Sequence, residues 1–422
     1  YITVQDNRMT ATKLTGRELF NKLGKPSKIL APMVDHSELA WRILSRQHGC
    51  TLTYTPMLHA RLFATSDKYR RDMWGPLDGD SKIDRPLVVQ ICGNDPEYVL
   101  QTALLVQDKC DAVDLNLGCP QGIAKKGHYG SFLMEEWDLI HKIIRTLHDK
   151  LDVPVTAKIR VFPERQKTLD YAKMILDAGA QFLTVHGRLR EQKGQKTGLA
   201  DWYIIKYLRD NLPADTVMFA NGNVLYPEDI TRCLKETGVD GVMSAEGNLY
   251  NPGVFAAEDS SDKDKAFPRV DVILREYYEI IKRVGPESPA SRKTMKSHVF
   301  KILRPFLSNH TDIRSIVASM SGKATLEEWD EKVIKPVEKI VNKLCSEEDD
   351  DIVVEGSLES WGGSYKTVPY WRCQPYFRAV NGVTGDKRQQ RKAEETKQKD
   401  KEVEVEATES AAKRRKTVET PS

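Results

Sequence analysis

A (β/α)8 barrel, followed by a smaller all-helical region and a disordered tail, is the architecture expected of this sequence, on three grounds. Short β-rich runs alternate with amphipathic segments from residue 28 to about residue 247, and eight such alternations are what a closed parallel barrel requires. The first run is not followed by the G-x-G-x-x-G turn of an open dinucleotide-binding sheet. Beyond residue 251 the strand signals stop and a helical pattern takes over.

Taken in order, the strand candidates are 28–33, 50–57, 86–92, 112–117, 155–161, 182–186, 216–220 and 241–244. The helix candidates between them are 37–49, 95–109, 135–150, 168–178, 201–209 and 227–237. Ser37, Asp95, Thr168 and Asp201 stand where helices start, since a short polar side chain can accept from first-turn N–H groups. Gly49, Gly179 and Gly238 stand where helices stop.

At 422 residues the chain can bury a large core and hold more than one folded unit. Its 64 Lys and Arg nearly balance 61 Asp and Glu, so any basic surface must be local. Seven cysteines with no C-x-x-C pair fit a reducing compartment and speak against a disulfide framework or a zinc site. No apolar run approaches the roughly 18 residues of a membrane span. A soluble intracellular monomer that binds neither metal nor membrane is expected.

The stretch AVDLNLGCP, 112–120, holds the sharpest local signal. A short apolar run, like a buried parallel strand, leads straight into Gly118, Cys119 and Pro120. Barrels collect chemistry at the C-terminal strand ends, so Cys119 is a candidate reactive residue; one more small buried hydrophobe is the alternative. The following QGIAKKGHYGS, 121–131, is polar, glycine-rich and basic, as a lid loop would be. The other strand ends carry Pro32, Met33 and Val34, then Gln90, then Lys158 and Arg160, His186, Asn221-Gly222-Asn223 and Ala245-Glu246-Gly247. Lys158 reads as a lysine neutralised by a carboxylate, as partner of an anion or electron-rich ring, or as a Schiff-base nucleophile. His186 reads as a satisfied core histidine or a ligand contact. The turns after the last two strands are where backbone N–H groups commonly cradle a phosphate.

Together these pieces resemble the flavin-dependent tRNA dihydrouridine synthases. The resemblance runs from about residue 28 to 307 and rests on APMVD (31–35), NLGCP (116–120), AKIR (157–160), TVHGR (184–188) and ANGNV (220–224). MVDHSELAWR, PMLHARLF and MSAEGNLYNP point to the eukaryotic subgroup that acts on uridines 16 and 17 of the D-loop. The resemblance implies FMN as cofactor, NADPH or NADH as reductant and tRNA as partner. Pro32, Met33 and Val34 would lie along the isoalloxazine, Gln90 and Lys158 at its polar edge, and His186 at the ring-to-ribityl region. Asn221, Gly222, Asn223, Ala245, Glu246 and Gly247 would hold the phosphate, mainly through backbone. Many family members carry Gly-Arg in place of Ala245-Glu246, so this cradle is expected to have one cation fewer.

The implied reaction delivers hydride to C6 of a flipped-out uracil and a proton from Cys119 to C5. A thiol that is mostly protonated near neutrality suits that task. Asn116 would bind the uracil edge or the flavin, Arg160 would make a further contact, and Lys125 and Lys126 would draw in the RNA backbone, with a simply solvated basic loop as the alternative. Two other readings of the residues stand beside this one: a Schiff-base aldolase built on Lys158, and a non-catalytic RNA-binding protein on a barrel scaffold.

The expected organisation is a catalytic barrel over 28–250, a helical tRNA-binding region over 251–345, a linker and aromatic segment over 346–380, and a disordered charged tail over 381–422. Residues 291–305 set Lys293, Lys296, His298, Lys301 and Arg304 among Met295, Val299, Ile302 and Leu303. Helical spacing gives one apolar stripe and one basic face, either simply solvated or, the preferred reading beside such a barrel, a track for tRNA phosphates. The aromatic run WGGSYKTVPYWRCQPYFR, 361–378, is expected to fold back on the body, with stacking on nucleic acid as the alternative. Lys413-Arg414-Arg415-Lys416 matches a nuclear-localisation pattern, so a nuclear as well as a cytoplasmic location is expected.

Overall fold

The structure, a computed structural model, describes residues 13–194, 197–257, 262–358 and 363–377. The charged tail and the Lys413–Lys416 run lie outside the described residues. Eight strands form the barrel: β1 (Lys28–Leu30), β2 (Leu52–Tyr54), β3 (Leu87–Cys92), β4 (Ala112–Leu117), β5 (Val155–Arg160), β6 (Phe182–His186), β7 (Val217–Asn221) and β8 (Gly241–Ser244). All pair in parallel with their neighbours, and β1 closes on β8 with Leu30 opposite Ser244. Every predicted strand is present. β1 and β2 are shorter than expected because Pro32 and Pro56, which have no N–H for the ladder, follow them closely. A two-residue strand, Leu58–His59, pairs with the end of β3.

Burial explains the closure. Ile29, Tyr54, Val88, Phe182, Phe219 and Met243 fill the barrel in one cluster, which also takes in Leu19 and Phe20 from the Gly16–Lys22 helix. That helix precedes the first strand and is not announced by the alternating pattern. It sits so close to the barrel that a Cβ at Gly16 would lie 1.9 Å from the Gln181 carbonyl oxygen. Outside the strands, the apolar faces of the barrel helices and of the helical region after residue 262 merge into one continuous core.

Two of the four expected helix starts hold: Asp95 accepts from the Glu97 N–H, and Asp201 from those of Tyr203 and Ile204. The other two are corrected. Glu38, not Ser37, precedes the Leu39–Gln47 helix, and the Ser37 hydroxyl instead accepts the Met33 N–H at 2.9 Å. Thr168 lies inside the Arg165–Asp177 helix, its hydroxyl accepting the Phe162 N–H at 3.0 Å. In both cases the strand-end loop captures the hydroxyl. Gly49, Gly179 and Gly238 all take positive φ at helix ends.

Beyond the barrel, the Val270–Val284 and Pro289–Ile302 helices pack against the Leu39–Gln47 helix. A hairpin of β9 (Val353–Leu358) and β10 (Gly363–Thr367) follows, where the sequence pattern predicts no strand. The acidic run is also not a free linker. Asp350 accepts from Trp371 Nε1 at 2.8 Å and Arg372 Nε at 2.7 Å, and pairs with Lys263 at 3.1 Å. Trp371, Cys373 and Phe377 are buried, and the Cys373 N–H donates to the Pro268 carbonyl. The described part of the aromatic segment therefore folds back on the body.

Candidate active site

The C-terminal strand ends surround a cavity of about 1070 Å3. Its lining includes Pro32, Met33, Val34, Gln90, Asn116, Cys119, Lys158, Arg160 and His186, together with Asn221–Asn223 and Ala245–Gly247. Residues spread over more than 200 positions meet here because parallel strands point their C-terminal ends the same way. The volume stands at the upper end of ordinary ligand pockets, enough for more than one small group.

A polar chain climbs the inner wall to the cysteine. Asp114, buried on β4, accepts from Thr156 Oγ1 at 2.7 Å and from Gln90 Nε2 at 2.8 Å. Gln90 Oε1 accepts from Asn116 Nδ2 at 2.7 Å. Asn116 Oδ1 in turn accepts the N–H groups of Gly118 (3.1 Å) and Cys119 (2.9 Å). This revises the expectation for Asn116. Its oxygen and one N–H are committed to shaping the turn, so its main work is to aim Cys119. Gly130 (φ +65°) leaves room for that turn, since a Cβ there would lie 2.8 Å from the Cys119 carbonyl oxygen.

Cys119 is half-buried, and burial pushes its thiol above the ordinary range, with Arg160, Lys158 and Lys193 opposing. The protonated thiol therefore dominates at neutral pH. Arg160 lines the cavity and also braces the turn: Nε donates to the Gly118 carbonyl (3.0 Å), and Nη1 to those of Leu189 (2.6 Å) and Gln192 (2.9 Å).

Lys158 behaves differently. Among the described residues nothing accepts a hydrogen bond from its ammonium. Burial, followed by repulsion from Arg160, pulls its pKa down to about 8, while Asp114 opposes. A cation held this way favours an anionic or electron-rich partner in the cavity. His186 accepts from Arg188 Nη1 at 3.0 Å, and burial, followed by Lys158, Arg160 and Arg188, keeps it neutral.

At the β7 and β8 ends, the side chains of the Asn-Gly-Asn turn serve the loop itself. Asn221 Nδ2 donates to the Met243 carbonyl, and Asn223 binds both the N–H and the carbonyl of Ala200. What this turn offers a ligand is backbone and the space at Gly222 (φ +112°), where a Cβ would meet Ala200 at 2.5 Å. Arg188, whose Nη2 donates to Asn223 Oδ1 at 3.2 Å, brings a cation to this end. The sequence alone gives this arginine no role, although its place in TVHGR was a signal. His36, within MVDHSELAWR, and Tyr376, within the aromatic run 361–378, line the same cavity, although the sequence alone singles out neither as a site residue.

Lys125 and Lys126 sit on the short Gly122–Gly127 helix, exposed and outside the cavity lining. The helical basic face is largely corrected. His298 is fully buried, bonded to Glu38 Oε2 at 3.0 Å and stacked on Trp41, so it cannot meet a phosphate. Lys296 donates to the carbonyls of Ala318 and Met320. Lys301 donates to Ser297 Oγ and feels the charge of Glu246. Arg304 stacks on Tyr376, 3.8 Å from the ring centroid. Lys293 remains exposed, 3.8 Å from Asp35.

Among the described residues no group of acidic, histidine or cysteine side chains has the arrangement of a metal site, and no helix is long and apolar enough to cross a membrane.

The chain matches the family described as Dihydrouridine synthase (Dus) over residues 29–352. It is 69% identical over 386 residues to the tRNA-dihydrouridine(16/17) synthase of Saccharomyces cerevisiae, covering 90% of each chain. It is 52% identical over 377 residues to the protein of that name from Schizosaccharomyces pombe, covering 88% of this chain and 93% of that one. Both names specify NAD(P)(+). A tRNA-dihydrouridine(20a/20b) synthase-like protein of Mus musculus is 34% identical over 260 residues, 61% of this chain and 77% of that one. The matched region contains the barrel from Ile29 onward and every cavity residue from Ala31 to Leu249, and the chain belongs to the dihydrouridine synthase family.

Proposed function

We propose that this protein reduces uridine to 5,6-dihydrouridine in tRNA, at positions 16 and 17 of the D-loop, with FMN as cofactor and NADPH or NADH as reductant. The observation that carries the reading is that the Cys119 thiol lines the same cavity as Lys158, whose amine has no hydrogen-bond partner among the described residues, in a member of this family.

The donor set fits a flavin mononucleotide. Lys158 and Gln90 offer polar contacts in the middle of the mouth, Pro32–Val34 offer an apolar edge, and Gly222, Gly247 and Arg188 border one end where a phosphate can approach backbone. A flavin held by these residues would supply the hydride chemistry needed at C6 of the uracil, with NADPH or NADH as the source of reducing equivalents. The remaining work belongs to the chain. Lys158 holds the electron-rich ring system by charge. The brace of Arg160 and the Asn116 turn fix the cysteine. As negative charge develops over C5 and C4 of the uracil, the Cys119 thiol gives its proton to C5 and is then reprotonated from solvent. The uridine must leave its stack to enter the cavity, and single-stranded loops yield bases most easily. Lys125, Lys126 and Lys293 are the exposed cations that would meet the RNA backbone.

A Schiff-base aldolase also needs a lysine of lowered pKa, but it has no task for Cys119 and the chain of hydrogen bonds that aims it. The test is spectroscopic and chemical. The purified protein should carry flavin bands that bleach with NADPH under anaerobic conditions and return with unmodified tRNA, with dihydrouridine appearing at positions 16 and 17. A colourless protein that takes up no FMN, or tRNA left unreduced, would refute the reading.

A further inference from the structure

The family match ends at residue 352, yet the cavity wall contains a residue from beyond it, Tyr376. The segment that carries this ring is fixed firmly. On its N-terminal side Arg372 pairs with Asp264 (2.7 Å) and with Asp350, and Cys373 is fully buried. On the other side Phe377 is buried in a small cluster with Leu225, Tyr226, Phe267 and Val368. Between these anchors Tyr376 stays only partly buried. Arg304 lies 3.8 Å from its ring centroid, and Tyr250 packs at 5.4 Å, tilted by 52°.

An aromatic ring held from behind by a guanidinium and a second ring, and turned toward a cavity, has little freedom to lose on binding a flat partner. Two partners are available: the cofactor and the RNA. Cofactor binding is common to the family, and the residues that fit it all lie within 29–352. A ring added from outside that range suits what differs among members, the tRNA nucleotide presented. The Saccharomyces cerevisiae alignment covers 90% of this chain and so runs through Tyr376, which has more than a tenth of the chain after it.

We infer that Tyr376 contacts the substrate tRNA, its ring packing on a base or ribose beside the reacting uridine, with Arg304 and Tyr250 positioning it. This inference rests on the reading of the cavity as a uridine-reducing site. Aromatic stacking on a nucleic-acid base tolerates sequence differences, and binding weakens markedly without it.

The test compares holoenzyme carrying Tyr376→Ala or Tyr376→Phe with wild type, using an unmodified tRNA transcript. Three quantities are measured: Kd for tRNA by fluorescence anisotropy, KM for tRNA, and flavin bound per protein, with thermal melting as the fold control. Tyr376→Ala should raise Kd and KM roughly tenfold at wild-type flavin content, and Tyr376→Phe should restore both to within about twofold. Kd and KM unchanged in Tyr376→Ala would overturn the inference. So would loss of flavin from a folded variant at unchanged tRNA affinity, since the ring would then serve the cofactor. Wild-type protein that binds tRNA through Tyr376 but forms no dihydrouridine would uphold the contact and strike the proposed reaction instead.

Discussion

Arg42 and Lys158 are two cations that burial works against, and their surroundings could hardly differ more. Arg42, on the Leu39–Gln47 helix, has zero exposure and is fully partnered. Nε donates to Asp84 at 2.9 Å, Nη2 to Asp78 at 2.7 Å and Nη1 to the Ser37 carbonyl at 2.8 Å. Although burial opposes it, the charges of Asp84 and Asp78 push the Arg42 pKa further up. Lys158, near the end of β5, has no such partner and is pulled down to about 8. A buried charge that the protein satisfies itself is scaffold. One that the protein leaves unsatisfied at a cavity wall marks where a ligand's electrons belong.

This contrast can be broken most sharply at Arg42. Arg42→Met leaves Asp78 and Asp84 without their buried partner and should cost about 3–5 kcal/mol of stability in urea unfolding. A cost below about 1 kcal/mol would remove the distinction from its scaffold side. At the mouth, Cys119→Ala should lower dihydrouridine formation by roughly 10²–10⁴-fold, as loss of a general acid does, with flavin still bound. Because burial raises the thiol, the acid form persists through neutrality. Turnover should therefore hold as pH rises to about 8 and fall only above the ordinary thiol range near 8.5. A fall centred below pH 7 would show a different group titrating.

A smaller effect concerns Lys158 itself. Its ammonium form, which attracts an anion, predominates below about pH 8 and is lost above it. FMN affinity should accordingly weaken as pH rises through about 8. Affinity that improves over that range would contradict the sign. The smallest effect belongs to the exposed lysines. Replacing Lys125 and Lys126 with Gln should reduce the slope of log K against log salt for tRNA by about one for each phosphate no longer neutralised. An unchanged slope would show that these lysines are merely solvated.

The same contrast explains what is legible in the sequence. Strands, most helices and the ring of mouth residues can be read because they depend on local pattern: an apolar run, then glycine, cysteine and proline at 118–120, or Asn-Gly-Asn at 221–223. Which cations have partners cannot be read, because partnership is set by pairs far apart in the chain. Arg42 meets Asp84 across 42 positions and His298 meets Glu38 across 260. His298 therefore reads as part of a basic face while it is core, and Lys296 reads as free while it caps two carbonyls of a neighbouring segment. Asn116 reads as a substrate residue because nothing in sequence says that its amide folds back on Gly118 and Cys119.

One measurement decides the account: the behaviour of Lys158→Met, read as unfolding free energy and FMN affinity on the same preparation. An unpartnered charge contributes no pairing to the fold, so the variant should unfold at no lower urea than wild type. Its FMN Kd should rise roughly tenfold or more, as expected when a hydrogen bond to a charged group is removed. A variant several kcal/mol less stable that binds FMN as tightly as wild type would mean that Lys158 is scaffold like Arg42, and the identification of the cavity by its unsatisfied cation would fall.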